Sequence, residues 1–308
     1  MGGSSLPVIV GPTAIGKTAV ALALAAHWPL EVVSADSRQV YKRLDIGTAK
    51  PTRRERQRVT HHGLDLVEPG ERFSAGRFAR EARVWIQAVR STKRLPVVVG
   101  GTGLYIRALA EGLFEEPPLD VERRRALEHW VAGLPVPDLV RWAGRLDPGF
   151  HGGGRQRATR AIEIALLTGR SLTGWHRRAP GTGSIRPWYV RLSAPRPVLA
   201  QRIQVRADEM VRRGLIEEVA AVLSEGHGPE VPGLSAVGVR EAVEYLHGRR
   251  ARATVGEAIA TSTRQYAKRQ ETWFRHQLTG DVLTLDATRP VEELAREIAD
   301  AWKGKRDT

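Results

Sequence analysis

Residues 11–18 read Gly-Pro-Thr-Ala-Ile-Gly-Lys-Thr, the spacing G-x-x-x-x-G-K-[ST], between an apolar run from Leu6 to Val10 and an alanine-rich stretch from Lys17 to His27. That spacing builds a phosphate cradle: the glycines let the backbone curl with its N–H groups inward, Lys17 adds a point charge, and the Thr18 hydroxyl is a ligand for Mg²⁺. The strand-to-helix context separates the motif from a chance glycine-rich turn. A diphosphate group is therefore assigned to Gly11, Pro12, Thr13, Ala14, Ile15, Gly16, Lys17 and Thr18.

The elements around the loop must aim it. Strand-like runs recur at Leu6 to Val10, Glu31 to Ser34 and Leu95 to Val99, separated by helical patterns, and again at Trp188 to Ser193 and Val282 to Leu285. Such alternation predicts a parallel sheet flanked by helices, a P-loop NTPase-like α/β fold. Ligands in such sheets bind outside the carboxyl ends of the strands. Three segments should meet there: the phosphate loop, Asp36-Ser37-Arg38-Gln39, and Gly100-Gly101-Thr102-Gly103. Asp36 can serve the metal or take a proton from an incoming nucleophile, or simply cap the turn that follows. Gly100 and Gly101 predict close approach of a ligand to the backbone, with the Thr102 hydroxyl free to bond a substrate edge, unless the stretch is only a tight turn.

Helical patterns fill Arg196 to Arg213, Ile216 to Ser224, Val239 to Leu246, Thr254 to Gln277 and Val291 to Trp302. Between about Asp120 and Pro187 the strand signal vanishes and three short helices are expected, closed by an exposed, mobile loop GWHRRAPGTGSIRP. The expected organisation is a core of residues 1–119 and 188–308 interrupted by an all-helical insertion, 120–187. In the insertion, helical spacing puts Gln156, Thr159, Arg160 and Glu163 on one face and Ala158, Ala161, Ile162 and Ala165 opposite, with Arg155 and Arg157 at the start. Arginine beside glutamine suits phosphates and base edges, or a plainly solvated face. A second basic cluster, Arg53, Arg54, Arg56 and Arg58, precedes His61-His62, which read as solvent or nucleotide contacts rather than metal ligands.

Composition sets the outer bounds. Lysine and arginine number 48 against 34 acidic residues, a formal charge of +14, which favours a polyanionic partner, although a GC-rich genome or a thermophile's ion-pair habit produces the same arginine-rich composition. Cysteine is absent, which excludes disulfides, thiolate zinc sites and cysteine nucleophiles. No run reaches the 18 or so apolar residues a membrane span needs, and the first residues lack a signal-peptide pattern. A cytoplasmic monomer is expected.

Taken in order, GPTAIGKT, SADSRQVYKRLDIGTAKP, VVVGGTGLYIRALAEGL, RQRATRAIEIALLTGRSL and TRQYAKRQETWFR resemble the tRNA dimethylallyltransferase family from about residue 8 to residue 276. The resemblance implies transfer of a dimethylallyl group from dimethylallyl diphosphate to N6 of adenosine 37 in tRNA, with release of pyrophosphate and Mg²⁺ as cofactor. It implies further that Asp36 is the general base, that Thr102 contacts the flipped adenosine, and that Arg206 contacts the pyrophosphate. Asp36, Ser37, Arg38, Gln39, Thr102, Gln156, Arg157, Ala158, Thr159, Arg160 and Arg124 fall at its tRNA-contacting positions. This chain departs from the family pattern at Gly63, at Phe73 and Gly76-Arg77, and at Val239, where the family carries an aromatic, so local packing and tRNA affinity are in question there.

Two other readings share the loop: a kinase acting on a small molecule or nucleotide, and an RNA-binding ATPase that transfers nothing. The first predicts phosphate transfer from ATP; the second predicts RNA binding without a modified product.

Overall fold

The structure is a computed structural model and describes residues 5–112, 119–178 and 185–306. Two compact units divide the chain: Met1–Ala110 with Ser184–Thr308, and Glu111–Gly183. The second unit begins and ends somewhat earlier than the 120–187 expected from sequence, and the helix after the fourth strand runs on to its first residue, Glu111.

The first unit is a six-stranded sheet in which every pairing is parallel. Its strands are β1 Ser5–Val10, β2 Leu30–Ser34, β3 His61–His62, β4 Leu95–Gly100, β5 Arg186–Ser193 and β6 Val282–Asp286. They lie side by side in the order β3-β2-β4-β1-β5-β6. Leu6, Val8, Ile9 and Val10 are buried alike, and so are Val97, Val98 and Val99, since helices cover both faces and leave no polar side for alternation.

Helices α1 Lys17–Leu24, α2 Arg53–Arg58, α3 Ala75–Ser91 and α4 Gly103–Glu111 follow the first strands. Val20, Ala21, Leu22 and Leu24 of α1 are buried. Phe78 of α3 stacks on Tyr105 of α4, with ring centroids 4.4 Å apart. Register then sets the site. Val10 lies opposite Gly100 and Ser34 opposite Val99, so the chain leaves β1, β4 and β2 at one level.

The second unit holds α5 Val121–Ala132, α6 Val136–Leu146, α7 Arg155–Thr168 and α8 Leu172–Arg178. Its core is Val131, Leu139, Ala143, Ala158, Ala161 and Ile162, with Leu127, Leu134, Val140, Leu146 and Phe150 packed against it. Helix α8 corrects the expected loop: Trp175, His176, Arg177 and Arg178 are helical. Buried Asp147 supports its first turn by accepting from Thr173 N at 3.0 Å and from the Thr173 hydroxyl. Residues 179–184 of that segment lie outside the described residues, and its last two, Arg186 and Pro187, belong to β5 rather than to a loop.

After β5 the first unit resumes with α9 Arg196–Arg212, α10 Leu215–Ser224, α11 Val239–Leu246, α12 Val255–Gln277 and, beyond β6, α13 Val291–Arg306. α13 packs on α1 and β1, and α12 packs on α9 and α11. Val239, where the family carries an aromatic, is fully buried. No helix among the described residues is long and apolar enough to cross a membrane.

Candidate active site

The phosphate loop closes on Gly16, whose φ of 104° lies in the left-handed region that glycine enters without strain. No side chain caps α1, so its first amides stay available for an anion where the helix dipole favours one. Lys17 Nζ donates to the carbonyls of Gly11 and Pro12 at 2.9 and 2.8 Å, which fixes the ammonium over the loop. Burial brings its pKa down to about 8, against the pull of Asp36 and with the help of Arg206. Lys17, Asp36 and Arg206 therefore sense one another's charge.

Arg206 stands on α9, four residues after Arg202, so the two share a face. Desolvation lowers the Arg206 pKa, opposed by the Asp36 carboxylate. Arg202 donates to Ile15 O at 3.2 Å and to Ala287 O at 2.8 Å, pinning the phosphate loop to the end of β6. Sequence reasoning passed over Arg202, and spacing from Arg206 was the only signal available for it.

Asp36 makes the turn contact that its place at a strand end allows. One carboxylate oxygen accepts from Arg38 N at 2.8 Å, an Asx turn, and the group also lines a small cavity of about 40 Å³ with Lys17, Thr18, Gln39 and His61. The Thr102 hydroxyl accepts from Ser37 N at 2.9 Å and lies 3.3 Å from the Ser37 hydroxyl, so the loops after β2 and β4 are joined at the residues expected to meet. Tyr266 of α12 hydrogen-bonds Thr102, and burial pushes its phenol up to about 12. A broader surface cleft, about 580 Å³, includes none of these strand-end residues; its Arg212 and Arg252 pair with Glu209 and Glu217.

Several sequence expectations need correction. The space beside Gly100 and Gly101 is filled by protein rather than left for a ligand: a Cβ on Gly100 would come within 2.1 Å of Ala35 O, and one on Gly101 within 2.4 Å of Gln270 Nε2. Ala158 is fully buried in the helical core, so its side chain is withdrawn from RNA. Glu163 does not sit on an open face. It is buried between Arg124 of α5 and Arg160, which it binds at 2.5 and 2.8 Å.

Other expected contacts are engaged within the protein. Arg38 donates to Pro232 O at 3.2 Å and Ser235 Oγ at 2.9 Å. Gln39 accepts from Ser34 Oγ at 2.8 Å and donates to Ala49 O at 3.1 Å, bracing the loop after β2. His62 bonds Glu31 at 2.7 Å and stacks on Trp85, while His61 bonds Val59 O at 2.8 Å. Arg56 of the basic cluster pairs with Asp65 at 2.7 Å. Gln156 and Arg157 remain exposed at the start of α7, and Thr159 is half-buried. Among the described residues no group of three or more acidic or histidine side chains could hold a metal.

Two predictions arise here. A bound diphosphate favours the Lys17 ammonium, so pyrophosphate affinity is greatest below about pH 8 and falls as the pH rises through that value. Calorimetric titration on either side of it should show the fall in the wild type and not in Lys17→Arg, whose charge does not titrate there. Glu163→Ala leaves two arginine heads without their shared carboxylate and should cost about 2 kcal/mol. Chemical denaturation reads it.

A phosphate cradle after the first strand of an all-parallel sheet, with helices on both faces, defines a P-loop-like α/β protein. The family model described as IPP transferase matches residues 39–277, and one described as isopentenyl transferase matches residues 4–68. Over 286 residues the chain is 43% identical to a tRNA dimethylallyltransferase of Halorhodospira halophila, covering 90% of this chain and 92% of that relative. The full-length tRNA isopentenylpyrophosphate transferase from Bacillus halodurans superposes with a TM-score of 0.72 at 34% identity, covering 98% and 96% of the two chains. A eukaryotic dimethylallyltransferase acting on tRNA gives 0.73 at 26% identity over 92% and 74%. The chain belongs to the IPP transferase family.

Proposed function

We propose that this protein transfers the dimethylallyl group of dimethylallyl diphosphate to N6 of adenosine 37 in tRNA and releases pyrophosphate. The observation that carries the reading is the meeting of opposite chemistries at one sheet edge. Lys17 and Arg206 supply cations for a leaving diphosphate, and Asp36 supplies a carboxylate within their field. The allylic C–O bond breaks as the N6–C bond forms, the electron pair leaves with the diphosphate, and the N6 proton passes to Asp36. The adenine amine is a weak nucleophile because its lone pair is delocalised into the ring. Orientation and stabilisation of the leaving group must therefore carry most of the rate.

Thr18 and Asp36 line one cavity with Lys17 and offer hard oxygen donors of the kind Mg²⁺ prefers, so Thr18 would hold the ion. Bound there, Mg²⁺ would neutralise charge on the diphosphate. Thr102 and Ser37 would receive the flipped adenosine, since N6 inside the stacked loop is out of reach. Gln156, Arg157, Thr159 and Arg160, with Arg124, would grip the RNA backbone. A tRNA substrate places the protein in the cytoplasm, and one chain supplies every group named, so a monomer suffices.

The test is a nucleoside mass measurement on tRNA bearing adenosine at positions 36 and 37, incubated with dimethylallyl diphosphate and Mg²⁺. Gain of one dimethylallyl mass on one adenosine is expected. Unchanged nucleosides, or phosphate transfer from ATP in their place, would overturn the proposal.

A further inference from the structure

Helix α12 carries the TRQYAKRQETWFR stretch, and no step of the proposed reaction uses it. Tyr266, Gln270 and Trp273 stand at i, i+4 and i+7, one face of a helix. That face meets both reaction loops. Gln270 is buried; its Oε1 accepts from Thr13 N at 2.8 Å and its Nε2 donates to Gly101 O at 2.8 Å. Tyr266 bonds Thr102, and the Trp273 indole lies against Gly103, where a Cβ would come within 2.4 Å of the ring. Thr13 belongs to the diphosphate loop, and Gly101 precedes the residue that holds Ser37 N. One amide thus spans the donor loop and the acceptor loop.

We propose that Gln270 is a positioning residue: its planar head group sets the separation between the diphosphate loop and the Asp36–Thr102 side of the site. The proposal rests on the functional reading above, which seats the donor on the first loop and the adenosine at the second. A primary amide is the group required, because it presents an acceptor to Thr13 and a donor to Gly101 at once. Leucine fills a similar volume and leaves both backbone groups unpaired. Glutamate keeps the acceptor and sets a second oxygen against Gly101 O. Displacement at carbon is sensitive to misplacement of the reacting groups by about 1 Å.

The experiment compares wild type, Gln270→Leu and Gln270→Glu for kcat, for the dissociation constants of pyrophosphate and of an anticodon stem-loop, and for melting temperature. Gln270→Leu should lose about 100-fold in kcat while both dissociation constants stay within about threefold of wild type. A kcat within about threefold of wild type, or a loss matched by equal loss of pyrophosphate binding or of the folded state, overturns the proposal. Gln270→Glu supplies an independent reading, because a buried carboxyl facing a carbonyl has a raised pKa and its protonated form reproduces the amide's donor and acceptor. Its kcat relative to wild type should climb as the pH is lowered from about 8.5 to about 6. A ratio that stays flat overturns the proposal even where the leucine variant does not fold. A wild type that transfers nothing removes the functional reading together with this proposal, whereas an active wild type beside a fully active Gln270→Leu removes this proposal alone.

Discussion

Replacing Asp36 by asparagine should lower kcat by about 10²–10⁴-fold, the range that general base catalysis supplies. Affinities for pyrophosphate and for tRNA should change little. The substitution is clean because asparagine's side-chain oxygen can still accept from Arg38 N, so the turn that shapes this loop survives. What disappears is the anion that the proposed mechanism uses to take the N6 proton. Removing that charge also relieves the upward pull it exerts on the Lys17 pKa, so Lys17 in the variant should titrate lower than in the wild type. Single-turnover product formation, measured beside equilibrium binding of each substrate, checks the prediction. Equal losses in chemistry and in tRNA binding would reassign Asp36 to RNA recognition.

Lys17→Met should cost about 10²–10³-fold in kcat/KM for the donor, the loss seen when one preorganised stabiliser of developing negative charge is removed. The Lys17 ammonium is held by two loop carbonyls, so no reorientation is needed as charge gathers on the leaving diphosphate. Methionine keeps the length of the stem and removes both hydrogen bonds, so the melting temperature must be recorded alongside. Steady-state kinetics with donor varied at saturating tRNA give the number. A loss confined to the KM for tRNA would contradict the assignment.

Much of this site was legible because its chemistry is written locally. The phosphate loop occupies eight consecutive residues, and strand ends announce themselves where apolar runs give way to Asp36 or Gly100. The parallel sheet followed from alternation, and the boundaries of the five expected strands fell within a residue or two of those observed, whereas the two-residue edge strand β3, His61–His62, was too short to show a pattern. Partners far apart in sequence were another matter. Gln270 lies 257 residues from Thr13 and Arg202 lies 187 from Ile15, and nothing in the local pattern of either helix names its target.

Polar side chains show only half of their contacts in the sequence. The resemblance puts Arg38 and Gln39 at tRNA-contacting positions, and within the protein they also bond Pro232, Ser235 and Ala49. Glycines gave the same half-message at 100 and 101: something approaches closely, and here it is Ala35 and Gln270. In α7 the burial of Ala158, Ala161 and Ile162 was visible in the helical period. The burial of Glu163 was not, because a carboxylate goes inside only when arginines accompany it, and Arg124 comes from another helix.

The most direct measurement is a crystal structure with a non-transferring thio analogue of dimethylallyl diphosphate. The diphosphate should lie within hydrogen-bonding distance of the amides from Ala14 to Thr18 and of Lys17 Nζ, with its prenyl carbon turned toward Asp36. Donor density at another surface, with none at the Gly11–Thr18 loop, would contradict the account.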